Sequence, residues 1–189
     1  PDKEKIVEEI FQQGRVARYS CTNGTETIVV WNVHNFDIHP WNFNRIERQL
    51  GDDISKSKDA PLAFTTWLTG DINFLAPGDT RYFITTPATR SNTSRHRTPY
   101  QVKWQALFGQ MIEVQQQEPT HYTSADDSSG KIDRTFCTIP SWAWLTTTCK
   151  SECRIPAKQI HLSGVSDHAP VRTQVSARRP TPKEHQSVP

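Results

Sequence analysis

Two short strings in this chain hold side chains that could do chemistry together. Gly70-Asp71-Ile72-Asn73 closes an apolar run, and Ser166-Asp167-His168-Ala169-Pro170-Val171 stands at a second strand boundary. On an extended segment residues two apart project to the same side, so Asp71 and Asn73 share a direction. The pair offers a carboxylate for a metal ion or a water molecule, and an amide for a phosphate oxygen. Asp167 and His168 put a hard oxygen ligand beside an imidazole. Carboxylates suit Mg²⁺, and an imidazole can stabilise charge developing on a phosphate or move a proton. Each string alone is also a common turn. Their order, and what lies before and between them, carries the argument.

Other candidates are weaker. His121, in Pro119-Thr120-His121-Tyr122, reads more readily as a satisfied loop histidine than as a ligand. Arg90, Arg95, His96 and Arg97 lie in a Thr/Ser/Pro-rich stretch, where arginines either neutralise nucleic-acid phosphates or are simply solvated. Cys149 and Cys153, with Cys137 nearby, have the wrong spacing for a zinc knuckle and no His pair follows, so they read as reduced thiols.

The elements that must position these residues follow from periodicity. Ile6, Val7, Ile10 and Phe11 stand at helical spacing over residues 4–13. Gly14 to Tyr19 alternates, Asn23-Gly24 signals a hairpin turn, and Ile28-Val29-Val30-Trp31 is a β-branched run, giving two adjacent antiparallel strands. Phe43, Ile46, Leu50 and Ile54 predict a helix with one apolar face, and Leu62 to Leu68 a strand ending at Asp71. Residues 77–99 read as a long loop, and Val102 to Ile112 as a second helix. Residues 123–130 and 145–158 read as loops. Ile132 to Ile139, Ile160 to Leu162 and Val171 to Val175 read as strands. Helices set between more numerous strands imply a sheet sandwich covered by helices.

Composition narrows the classes. The 189 residues fit one domain, residues 1–176, with a polar, Pro-rich tail or linker over 177–189. Apolar residues make up only 34%, but Trp and Phe fall inside the patterned segments, so a core is possible. A net charge of +2 argues for no partner by itself. No run of eighteen apolar residues is present, which excludes a membrane-spanning helix. The start, Pro1-Asp2-Lys3-Glu4-Lys5, has no signal-type apolar stretch and looks like a piece of a longer polypeptide.

Gly-Asp-x-Asn followed about a hundred residues later by Ser-Asp-His-Ala-Pro-Val resembles the endonuclease/exonuclease/phosphatase superfamily. This group includes abasic-site endonucleases, DNase I-like nucleases and endonucleases of non-LTR retrotransposons. Ile132-Asp133-Arg134-Thr135-Phe136 resembles the strand that carries the aspartate partner of the catalytic histidine. Gly14-Arg15-Val16 with Ile28 to Asn35 resembles the paired strands ahead of Gly-Asp-x-Asn. The family often has Tyr-x-Pro-Asn there; Asn32 stands at the Tyr, His34 at the Pro and Asn35 at the Asn. The resemblance spans roughly residues 14–175.

The resemblance implies a four-layer α/β sandwich of the DNase I-like type and Mg²⁺-dependent (or Mn²⁺-dependent) phosphodiester hydrolysis. Asp71 would orient or deprotonate the attacking water. Asn73 and Asn35 would bind the scissile phosphate. His168 would stabilise its developing charge, held in one tautomer by Asp133, and Asp167 would sit at or near the metal. Asn32 departs from the family's Tyr but can still donate a hydrogen bond to phosphate. Arg90, Arg95 and Arg97 would contact DNA. Trp31-Asn32-Val33 also looks like the family's first motif, but Asn32 and Asp71 are only thirty-nine residues apart, and Glu47, the lone acid of the right type, sits in a helical pattern. The better register leaves the first Asn and the metal-binding Glu upstream of Pro1, so the sandwich is expected to be incomplete on its N-terminal side and this fragment inactive. The implied parent is a retroelement-like DNA endonuclease, linked to a reverse transcriptase and working inside the cell, in the nucleus. The alternatives are a non-catalytic remnant or nucleic-acid-binding module, and a phosphatase acting on an inositol phosphate or sphingolipid.

Overall fold

The computed structural model describes residues 5–74, 80–83, 90–91, 100–125, 127–140 and 147–177. Its first three strands, β1 (Lys5–Gln12), β2 (Val16–Asn23) and β3 (Glu26–His34), form an antiparallel meander. Asn23-Gly24 makes the expected turn, with Gly24 at φ 58°, a conformation open to glycine at no steric cost. β1 corrects the helical reading of residues 4–13. Its register with β2 runs from Lys5↔Thr22 to Ile10↔Ala17, then shifts so that Gln12 faces Val16. The irregularity turns Phe11 into the core, its ring 4.9 Å from that of Trp31, while Ile6, Val7 and Ile10 stay exposed. A bulge breaks the period of two, and the broken period mimics a helical spacing.

Helix α1 (Pro40–Asp59) crosses from β3 to β4 (Phe64–Asp71), which joins β3 in parallel. Pro40 supplies the preset φ of a first helical residue, and His39 caps the end by accepting from the Trp41 N–H at 3.3 Å. The helix buries Phe43, Ile46, Leu50 and Ile54, the four positions its spacing singles out. It also buries Asp53, which accepts from Arg18 at 2.8 and 3.0 Å and from the Trp31 indole at 2.9 Å. That satisfied carboxylate ties α1 to β2 and β3.

Helix α2 (Gln101–Phe108) stops earlier than expected, and Ile112 passes into the short strand β7 (Ile112–Glu113). Two paired strands lie in the stretch read as one loop, β5 (Thr80–Phe83) and β6 (Arg90–Ser91). The polar segment read as loop over 123–130 contains β9 (Ser128–Gly130), paired with β8 (His121–Thr123) and β5. β10 (Asp133–Cys137) lies between β4 and β7, so the main sheet runs β1-β2-β3-β4-β10-β7. The Thr/Lys/Cys segment read as loop is β11 (Thr147–Cys153), a strand whose β-branched and cysteine residues pair along their full length with β12 (Val171–Ala177). Ile160 to Leu162, read as a strand, belongs to helix α3 (Ala157–Leu162). Three residues are too few for periodicity to separate the two states.

The main sheet has two distinct faces. Val29, Trp31, Val33, Leu68 and Phe136 point toward α1 and α2 and make the core with Trp104, Leu107 and Phe108. On the opposite face a chain of hydroxyls joins the sheet to the β11–β12 hairpin: Thr69 to Thr135, Thr135 to Thr173 and Thr173 to Ser151, each at 3.1 Å. Helices, main sheet, second strands and α3 against β8 give the layering of an α/β sandwich. Among the described residues no helix is long and apolar enough to cross a membrane.

Candidate active site

Strand register assembles the site. His34 on β3 pairs with Asp71 on β4, and Asp71 pairs with Asp133 on β10, so the three form one row across the sheet. β3 and β4 both end there and β10 begins there, which leaves the row at the rim of the sheet. Gly70 makes the close approach possible. A Cβ at its position would collide with the Val33 carbonyl oxygen, and its φ of 136° suits glycine alone.

Beyond the row, the Asp71-Ile72-Asn73 turn folds back on itself. Asp71 accepts from the Asn73 backbone N–H at 2.8 Å and from its amide at 3.0 Å, with Asn73 at φ 57°. Asparagine tolerates that left-handed conformation better than most side chains. Asn35 braces the turn from beneath: its amide donates to the Ile72 carbonyl at 2.8 Å and its oxygen accepts from the Trp104 indole at 3.0 Å. Asn35 is buried, so the phosphate contact expected of it would use the second N–H of its amide.

His168 closes the row from the second layer. Its Nδ1 lies 3.0 Å from Asp133 Oδ2. Its Nε2 lies 3.8 Å from Asp71 Oδ2 and 3.9 Å from Asp167 Oδ1. Two contacts fix this placement. The buried Thr120 hydroxyl accepts the N–H groups of Ile132 and Asp133 at 3.0 and 2.9 Å, and His168 bridges to His121 in antiparallel fashion. His121, passed over in the sequence, therefore stands in the cluster, with Nε2 3.4 Å from Asp167 Oδ2. His34 was likewise missed: its Nε2 is 3.7 Å from Asp71 Oδ2, and its Nδ1 is 2.8 Å from Arg15 Nη1. Nothing in one sequence marks either histidine, because only pairing across the fold brings them in.

The electrostatics follow from these contacts. The Asp133 hydrogen bond raises the pKa of His168 above the usual histidine value, burial opposes it, and the charges of Asp133, Asp71 and Asp167 add to it. Burial pushes the Asp71 carboxyl up; the Asn73 N–H works against this, Asp133 adds to it, and His168 and His34 oppose it. Burial also lowers His121, assisted by the charge of His168. Around Asp167 burial acts upward, but its own backbone N–H and the two histidines hold the carboxyl below the ordinary range.

The structure thus brings together Asp71, Asn73, Asp133, Asp167 and His168, with Asn35 directly below. Asn32 is set apart. It is exposed two rows up the sheet, opposite Ala17 and Thr69, and lines an open cleft with Glu8, Arg15, Tyr19 and His34. Glu47 pairs with Lys103 at 2.6 Å, on the helical side of the sheet. The side chain of Arg90, and all of Arg95 and Arg97, lie outside the described residues, as do 178–189.

Comparison with solved structures shows the same architecture elsewhere. The chain aligns with the endonuclease domain of TRAS1, a telomere-specific non-LTR retrotransposon, at 12% identity and TM-score 0.52, over 93% of this chain and 69% of that one. It aligns with the AP endonuclease LMAP from Leishmania major at 13% identity and TM-score 0.57, over 88% of this chain and 55% of that one. The chain shares the fold of these two endonuclease structures. At these identities the likeness is one of fold. No protein-family model matches the sequence, and neither does any curated protein. Within this fold, His168 and its carboxylates occupy one rim of the sandwich, on strand ends and the connections between them.

Proposed function

We propose that this chain hydrolyses phosphodiester bonds in DNA. The observation that carries the reading is His168, held by Asp133 on one ring nitrogen and facing Asp71 and Asp167 with the other. A phosphodiester docked at this rim would meet the remaining amide N–H of Asn73, and that of Asn35 from below. Asp71, its carboxyl raised by burial, suits accepting a proton from a water aimed at phosphorus. His168, with its raised pKa, stays imidazolium to higher pH and places positive charge where the phosphate gains negative charge.

Asp167 fits a Mg²⁺ or Mn²⁺ ion. Its carboxylate is 56% exposed and faces the same space as His168, which suits a hard ion that keeps most of its water. Such an ion, when bound, supplies charge stabilisation and lowers the pKa of bound water. A single open carboxylate would hold it weakly, so residues 1–189 are expected to hydrolyse slowly at high metal concentration, where the resemblance alone implies an inactive fragment. Arg90, Arg95 and Arg97 would contact the DNA backbone, and Asn32 a phosphate farther along the cleft. The likeness to the TRAS1 domain supports a retroelement endonuclease, residues 1–176, leading through 177–189 toward a linked reverse transcriptase and working on nuclear DNA.

The test is plasmid nicking with protein in excess of DNA, across a Mg²⁺ and a Mn²⁺ titration. Wild-type nicking is expected to be slow and to rise with metal without saturating, while His168→Ala stays flat. Equal rates for wild type and His168→Ala at every metal concentration would overturn the reading in favour of a non-catalytic module.

A further inference from the structure

We infer that His121, Asp167 and His168 form a binding site for a transition ion of the Zn²⁺ class. This is a different chemistry from the hard, hydrated ion that Asp167 alone would hold. Each of the three offers one ligand atom, and these atoms all lie within 4.8 Å of one another. His121 Nε2 is 3.4 Å from Asp167 Oδ2, and His168 Nε2 is 3.9 Å from Asp167 Oδ1. Tetrahedral zinc with bonds of about 2.0–2.1 Å sets neighbouring ligand atoms roughly 3.3 Å apart. One edge of that arrangement is therefore already formed. The His168–Asp167 edge closes by rotation of the exposed Asp167 carboxylate, and the His121–His168 edge, at most 4.8 Å, by a small adjustment of the two rings.

The backbone is built to hold the two imidazoles together. His121 and His168 face each other in an antiparallel bridge, flanked by Tyr122 N–H to Asp167 carbonyl at 2.9 Å and Ala169 N–H to Thr120 carbonyl at 2.6 Å. The rings meet edge to face, 4.8 Å between centroids. On its far side His168 gives Nδ1 to Asp133 at 3.0 Å. A carboxylate behind a metal-bound histidine orients the ring and raises its basicity as a ligand. Here it turns Nε2 toward the cluster. Two imidazoles and one carboxylate suit zinc and its neighbours, whereas magnesium prefers oxygen throughout. The fourth position is open to water or to Asp71, whose Oδ2 is 3.8 Å from His168 Nε2.

Occupancy would engage His168 Nε2, the atom assigned above to the phosphate, so the ion would switch hydrolysis off. That consequence alone rests on the hydrolytic reading. The site itself is measured without DNA, by titrating the chain with Co²⁺ under visible absorption and displacing it with Zn²⁺ in excess Mg²⁺. The expected result is one equivalent bound, displaced by zinc and indifferent to magnesium. His121→Ala and Asp167→Asn should each weaken binding by at least about tenfold, and Asp133→Asn by roughly 10- to 100-fold. His161→Ala removes a nearby imidazole that lies tilted against the Tyr122 ring and should leave affinity unchanged. Asp167→Asn, at an exposed position, keeps the test valid if His121→Ala fails to fold. Absence of binding, equal affinity in Asp167→Asn, or displacement by magnesium would overturn the site. Zinc binding intact in a chain that never nicks DNA would count against hydrolysis and not against the site.

Discussion

At the scale of single residues, the account turns on how a side chain is held. On the proposed reading Asp133, hydrogen-bonded to His168, is a positioning residue, and its loss should change turnover more than substrate binding. Asp133→Asn is expected to lower kcat for nicking by about 10- to 100-fold with KM nearly unchanged, a split that steady-state kinetics resolves. A loss confined to KM would place Asp133 in substrate binding instead. Asp71, Asp167 and His168 were legible in the sequence because each sits in a short string of chemical residues, and Asp133 only through the strand that Ile132 to Phe136 resembles. Asn35 and Asn73 were legible as amides, but their first hydrogen bonds go to the protein: Asn73 to Asp71, Asn35 to Ile72 and Trp104. His34 and His121 were not legible as members of the cluster. Their chemistry arises from partners on other strands, and a lone histidine carries no sign of them.

At the scale of elements, register does the positioning. Gly70 lets β4 lie against β3 with Asp71 opposite His34, so Gly70→Ala should destabilise the chain by about 3 kcal/mol, through strain and overpacking together. A chemical denaturation midpoint equal to wild type would contradict the close approach seen at Val33. A second clip joins β8 to α3: Asp127 accepts from the Tyr122 hydroxyl at 2.6 Å and from Lys158 at 3.0 Å. The Tyr122 hydrogen bond, with Lys158, holds the Asp127 carboxyl below the ordinary carboxylate range. A depressed carboxylate contributes stability above its unfolded pKa of about 3.9, and that contribution is lost as pH falls through the folded value. Asp127→Asn should therefore melt below wild type at neutral pH, with the gap closing on acidification; a gap independent of pH would contradict this. Long periodic elements such as α1 and β4 were readable because their burial has one period. β1 was not, because a bulge interrupts it, and neither were β9 and β11, whose polar and thiol residues carry no apolar alternation. Pairing with a partner strand made them strands.

At the scale of the whole molecule, the sandwich exists to bring distant strings to one rim. The sheet contributes His34, Asp71 and Asp133 in a row, and the second layer contributes His121, Asp167 and His168. Helices set between more numerous strands indicated a sandwich, and the order of Gly-Asp-x-Asn and Ser-Asp-His did so only through the family they resemble. The central claim is that Asp71 and His168 work on one phosphate as a unit. Groups that act as a unit lose activity together, so their losses do not multiply. The direct measurement is single-turnover plasmid nicking by wild type, Asp71→Asn, His168→Ala and the double variant. The account expects each single variant to fall at least about 100-fold, in line with loss of a positioned acid or base, and the double variant to be no slower than the slower single. Losses that multiply in the double variant, or single variants that nick as fast as wild type, would contradict it.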